Sequence, residues 1–200
     1  MSRSNAPTLR RTVLLVAALN LGYFGVEFTV ATFIGSVSLF ADSVDFLEDS
    51  SINLLIFFAA AWSLRRQAWV GSILAFVILV PALATIWIAI LKILDPVAPE
   101  PLPLTAAAVG ALVVNVLCAF LLVRHRSTHG SMAKAAWLSA RNDAFANLAI
   151  IAVGIVTIWI QSGWFDIVIG LAIGLLNADA ARAVWRTARS EHLTARSATP

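Results

Sequence analysis

The chain has 200 residues, 60% hydrophobic and 12% charged, with a mean hydropathy of +0.88. Soluble domains carry about 25% charged residues, so composition excludes an ordinary soluble domain and leaves room for a single polytopic membrane domain. The formal charge of +3 comes from Lys and Arg in short clusters between apolar runs, which is a topology signal rather than a nucleic-acid patch.

A spanning helix needs about 20 mainly apolar residues. The segments 12–33, 37–64, 68–91, 105–123, 134–160 and 165–185 qualify, predicting an all-α membrane protein built as a six-helix transmembrane bundle. Residues 1–11 are read as a cytoplasmic segment, 12–187 as the membrane domain and 188–200 as a short cytoplasmic tail. The first apolar stretch is too long for a signal peptide and lacks a small-residue cleavage site. Arg3, Arg10 and Arg11 precede span one; Arg65 and Arg66 separate spans two and three; Arg124, Arg126 and Lys134 separate four and five; Arg182, Arg186, Arg189 and Arg196 close the chain. With six crossings all these lie on one side, while the opposite loops hold only Lys92 beside Asp95 and Glu100. That asymmetry places both termini in the cytoplasm. The proline-rich stretch 95–103 is expected to be a stiff external connector.

Polar residues at membrane depth carry the functional information, because ionisable groups there are costly and face a partner, the bundle interior or a water-filled path. In span one, Asn20 and Glu27 (i, i+7) form a stripe with Tyr23 between them. It reads as a proton route, as support for a site, or as a helix-contact stripe. In span two, Asp42, Asp45 and Asp49 (i, i+3, i+7) share one helix face. Asp42 is read as hydrated near the outer interface. Asp45 and Asp49, about one turn apart and deeper, are tolerable only with a proton on one of them or a cation between them. Glu48 points about 100° away and either pairs with a basic residue or supports the site. Pro81 is expected to kink span three. Cys118, the only cysteine, reads as a packing residue, and a lone cysteine excludes an intramolecular disulfide or a thiolate cluster.

In span five, Ser139, Asp143 and Asn147 (i, i+4, i+8) again share a face, with Asp143 the one carboxylate. Ser139 and Asn147 can hydrogen-bond to it, offer neutral oxygens, or bond between helices. Arg141 faces elsewhere and is expected to snorkel to the surface, or to pair with Glu48. In span six, Gly170 and Gly174 favour close helix contact. Asp166 reads as solvated at the outer mouth, Asn177 approaches the cytoplasmic end, and Asp179 pairs with Arg182. His125, His129 and His192 all fall in cytoplasmic segments, so no histidine lies at membrane depth. No intramembrane histidine or lysine is available to activate Ser139, which argues against a hydrolase; the chain is read as a non-enzyme.

The run 35–49, GSVSLFADSVDFLED, resembles the second transmembrane helix of the cation diffusion facilitators. That family has a Gly-Ser opening, then Asp or His, three residues, and Asp; Asp45 and Asp49 occupy the two acid positions. The run 137–147, WLSARNDAFAN, is similar to the fifth helix, with Asp143 and Asn147 matching and Ser139 standing where the family usually has histidine. The resemblance implies a divalent metal transporter, an efflux protein exchanging metal for protons by alternating access and forming a homodimer in the lipid bilayer of the cytoplasmic (plasma) membrane. No cofactor is bound permanently. The substrate implied is zinc, cobalt, cadmium, iron or manganese, held by Asp45, Asp49, Asp143 and Ser139. Asn147, Glu27, Asn20, Asp42 and Glu48 would support that site or pass protons. The serine at 139 leaves an all-oxygen set, less suited to zinc than one with imidazole. The family's cytoplasmic ferredoxin-like domain is expected to be missing. An alternative is a non-transporting membrane scaffold or regulatory subunit with a degenerate metal site.

Overall fold

A computed structural model describes residues 6–59, 64–124 and 130–177. Among the described residues the chain is all-helical: α1 (Ala6–Ile34), α2 (Val37–Ala59), α3 (Leu64–Leu94), α4 (Pro101–Arg124), α5 (Gly130–Trp159) and α6 (Trp164–Asn177). The predicted bundle of six is borne out, with described helix ends displaced by a few residues; stretches 60–63 and 178–185 of predicted spans two and six lie outside the described residues. The stretches Arg11–Ile34, Pro101–Leu122 and Asn142–Trp159 are long and apolar enough to cross a membrane, and Leu79–Leu94 and Trp164–Asn177 are shorter apolar helices. α2 has 23 residues, long enough at about 1.5 Å each to cross the hydrocarbon, but four of its side chains are carboxylic acids.

The α1–α2 link is a tight stop and restart. Gly35 takes φ +65, the left-handed conformation that glycine reaches without penalty. The Ser36 amide then bonds back to the Ala31 carbonyl at 3.0 Å, the six-to-one bond of a Schellman stop. Ser36 at once caps the next helix, its Oγ accepting the Leu39 amide at 3.1 Å. At the proline-rich α3–α4 link the expected loop 95–103 is shorter than predicted. α4 begins at Pro101, whose missing N–H costs nothing in a first helical turn.

α2 is the hub. It packs against α1, α3, α4 and α5, and α6 meets it through Gly170, where an added Cβ would come within 2.7 Å of the Ser38 nitrogen and the Val37 carbonyl carbon. The main core accordingly draws on every helix: Ala31, Leu39, Val44, Ala82, Leu104, Ala108, Ile150 and Ile173 are all buried in it. The outside is apolar as well, with Phe33, Leu94, Leu102 and Trp159 exposed. A soluble monomer rarely shows so continuous an apolar surface, whereas acyl chains cover it at no cost. The second small position, Gly174, approaches Thr85 of α3, so both glycines of that pair serve packing inside the chain.

Gly170→Ala is expected to push α6 off α2 and to cost about 1–3 kcal/mol, read as a lower Tm in detergent. Gly22→Ala, with nothing within 4 Å of its added Cβ, is the control and leaves Tm unchanged or slightly raised.

Candidate cation site

The face of α2 that turns inward carries the acids. Asp42 is fully buried and neither of its carboxyl oxygens has a hydrogen-bond partner. The expectation of a hydrated Asp42 is therefore corrected: α1 covers this part of α2, so water does not reach it. Asp45, Glu48 and Asp49, further along, are half-buried. Asp45 lies within electrostatic range of Asp42, Glu48 and Asp49 on its own helix and of Asp143 on α5. Asp143, also half-buried, feels Asp49, Asp42 and Glu48 in turn. Acids of spans two and five thus lie within electrostatic range of one another. Ser139 lies on α5, but its side chain, like that of Arg141, is outside the described residues. The three histidines and Asp179 are outside them altogether.

Asn147 is buried, and it donates from Nδ2 to the backbone carbonyl of Asp143 at 2.7 Å, not to the carboxylate. Asn53 does the same for the backbone carbonyl of Asp49, also at 2.7 Å. Each of these two acids is thus followed one turn later by an asparagine whose amide nitrogen is occupied. For Asn147 this leaves Oδ1 buried without a partner, a neutral oxygen fixed in orientation. Among the described residues, no three His, Cys, Asp or Glu side chains converge closely enough to hold a metal ion. Among the described residues the acids share one electrostatic neighbourhood without closing into a ligand shell.

A second polar group faces inward from α1, toward α2 and α4. Asn20 and Glu27 are fully buried, and neither the Asn20 Nδ2 nor either Glu27 oxygen has a partner. Glu27 neighbours Asp42 across the helix contact without a geometrically complete hydrogen bond. Tyr23, one turn from Glu27, donates to the Ala107 carbonyl of α4 at 2.7 Å. Cys118 of α4 is buried with its thiol 3.8 Å from the Asn20 Oδ1, and it also feels the charge of Asp49. The stripe on α1 therefore faces the same interior as the acids of α2.

Three residues take places that sequence reading missed. Asp166 is fully buried, not solvated. Its carboxylate pairs with Lys92 at 2.9 Å and accepts bonds from the first turn of α2, because α6 packs its own first turn against that helix end. Asn177 donates to the Ala41 carbonyl at 2.9 Å, joining α6 to α2. Asn115, buried on α4 one turn before Cys118, is the third. The available signal was the same for all three: a polar residue interrupting or opening an apolar run.

The profile of the cation efflux transmembrane domain matches residues 13–191. Two curated relatives, the zinc transporter ZitB of Escherichia coli (strain K12) and that of Shigella flexneri, are each 26% identical over 191 residues, covering 88% of this chain and 59% of theirs. The chain thus spans a little under three fifths of the length of these relatives. The resemblance carried by the two helix motifs is borne out, and the chain belongs to the cation efflux family, the integral membrane domain of the cation diffusion facilitators.

Proposed function

We propose that this chain carries a divalent metal cation across the membrane, binding it between Asp45 and Asp49 of α2 and Asp143 of α5 and exchanging it for protons. The observation that carries this reading is one of charge. Glu27, Asp42, Asp45, Glu48, Asp49 and Asp143 are buried or half-buried in the bundle, and Arg11, Arg66 and Lys92, the basic residues whose side chains are described, form no ion pair with any of them. Carboxylates in a low-dielectric interior must be balanced. Mobile cations, either protons or a metal ion, can supply that balance.

Those two compete for the same oxygens. Metal binding needs deprotonated ligands, so a metal entering the site expels protons and protons entering it expel metal. That competition becomes antiport once the site faces the two sides in turn by rocking of helices. Asn147 orients α5 around Asp143 and offers its free Oδ1; Ser139 is a weak or water-mediated ligand. Glu27 and Asp42, with Asn20 beside them on the same interior, take the proton-carrying role, and Glu48 supports the site from its rim. The substrate class is zinc, cobalt, cadmium, iron(II) or manganese; the relatives' names speak for zinc. The Lys and Arg distribution supports both termini in the cytoplasm, the family's description speaks for efflux across the plasma membrane, and a homodimer is the assembly that goes with this reading.

Asp49→Ala and Asp143→Ala are each expected to abolish metal-driven proton flux in proteoliposomes tested with zinc, cobalt, cadmium, manganese and iron(II). Normal flux in either would remove it from the site. Purified chain that binds none of these metals by calorimetry would instead favour a non-transporting scaffold. Ser139→His should shift preference toward zinc, since imidazole is the better borderline ligand; an unchanged metal profile places Ser139 away from the ion. Glu27→Gln removes one proton carrier while leaving the three ligands. It is expected to lower the protons moved per metal ion, measured by paired pH and metal indicators, with metal binding retained.

A further inference from the structure

The α1–α2, α3–α4 and α5–α6 connections meet at one end of the bundle, where the Gly163 amide bonds to the Pro96 carbonyl at 3.1 Å. There a polar cluster is fully satisfied, unlike the acids deeper in. The Asp166 carboxylate accepts from the Val37 amide at 2.8 Å, the Ser38 amide at 3.1 Å, the Ser36 hydroxyl at 2.7 Å and the Ser38 hydroxyl at 2.6 Å. Lys92 of α3 pairs with the same carboxylate and also donates to the Gly35 carbonyl. The first N–H groups of a helix have no partner within it. On α2 they are divided between a local cap, Ser36, and a carboxylate from a helix about 130 residues further on. The aligned peptide dipoles at this end favour that negative charge.

We infer that Asp166 is a positioning residue for the cation site, clamping the first turn of α2 to α6 and α3 and so setting the axial register that brings Asp45 and Asp49 opposite Asp143. The inference rests on the metal site proposed above. α6 grips α2 at two heights, by Asp166 at Val37 and Ser38 and by Asn177 at the Ala41 carbonyl. Gly170 between them allows the backbones into contact, so sideways play is small. Asp45 lies eight residues beyond Val37, about 12 Å up a rigid helix. A slip of one residue would move it by about 1.5 Å and turn it by about 100°, while a productive ligand set tolerates only about 0.5 Å. A bond network at the helix end is therefore felt at the acids.

The full chain in nanodiscs tests this, with zinc(II), and cobalt(II) as a second probe, titrated by calorimetry. Asp166→Asn keeps every proposed ligand, and its metal affinity is expected to fall by about tenfold, as for loss of other groups that orient ligands. Hydrogen exchange across residues 35–41 should rise in the same variant. Lys92→Arg should keep the affinity. The double swap Lys92→Asp with Asp166→Lys should not restore it, because an ammonium cannot accept from the amides of α2. Should Asp166→Asn fail to fold, Ser38→Ala removes one bond to the same carboxylate and is expected to weaken binding in the same direction. An Asp166→Asn or Ser38→Ala chain with a lower Tm but unchanged affinity would overturn the positioning role, provided Asp49→Ala has lost binding. An Asp49→Ala chain that binds as well as the unsubstituted chain would overturn the cation site itself, and the positioning role with it.

Discussion

A carboxylate removed from water into an apolar interior must be hydrogen-bonded, paired or protonated, and this bundle meets that requirement in two opposite ways. At one end Asp166 is satisfied entirely by the chain, with four donors from residues 36–38 and the ammonium of Lys92. A charge so completely matched has no reason to exchange its partners, and its natural role is structural. Deeper in, Glu27 and Asp42 are equally buried, beside one another and without a geometrically complete hydrogen bond. Asp45, Asp49 and Asp143 lie within electrostatic range of one another. Under the proposed function, those groups take ions that come and go.

The placement of the acids on α2 follows from the same constraint. α2 touches every other helix of the bundle, so its inward face is the one furthest from lipid. Put on α4, whose outward residues include Val113, Val116 and Phe120, the same four acids would meet acyl chains on at least one side. Being central also gives α2 neighbours with polar groups to contribute: Asn20 and Glu27 from α1, Asn115 and Cys118 from α4, Asn147 from α5, and Asn177 from α6. The asparagines that follow Asp49 and Asp143 by one turn add a local device, fixing the amide on the helix's own backbone. An uncharged oxygen is then presented without the entropy of a free side chain.

Much of this was legible in the sequence because membranes leave few options: backbone groups in hydrocarbon must be paired within a helix, so apolar runs of sufficient length become helices. Acids spaced by three, four or seven residues share a face whatever surrounds them, which is how Asp45 and Asp49 could be grouped on α2 and Asp143 with Asn147 on α5. The helix starts were less legible, since Pro101 looks like a loop residue until its place in a first turn is seen.

What the sequence determined by itself was the solvent this chain folds in, the helical class, the inward faces and the family motifs, all of which depend on composition and on spacing within one helix. Tertiary structure alone decided which acids the chain neutralises. By position in their spans Asp42 and Asp166 both looked hydrated, yet one is buried beside Glu27 without a partner and the other caps a helix more than 120 residues away in the chain. The reason is physical: periodicity says which way a side chain points on its own helix, while the pairing of a buried charge depends on which helices come within about 3 Å of it, and that is set by the packing of the whole bundle.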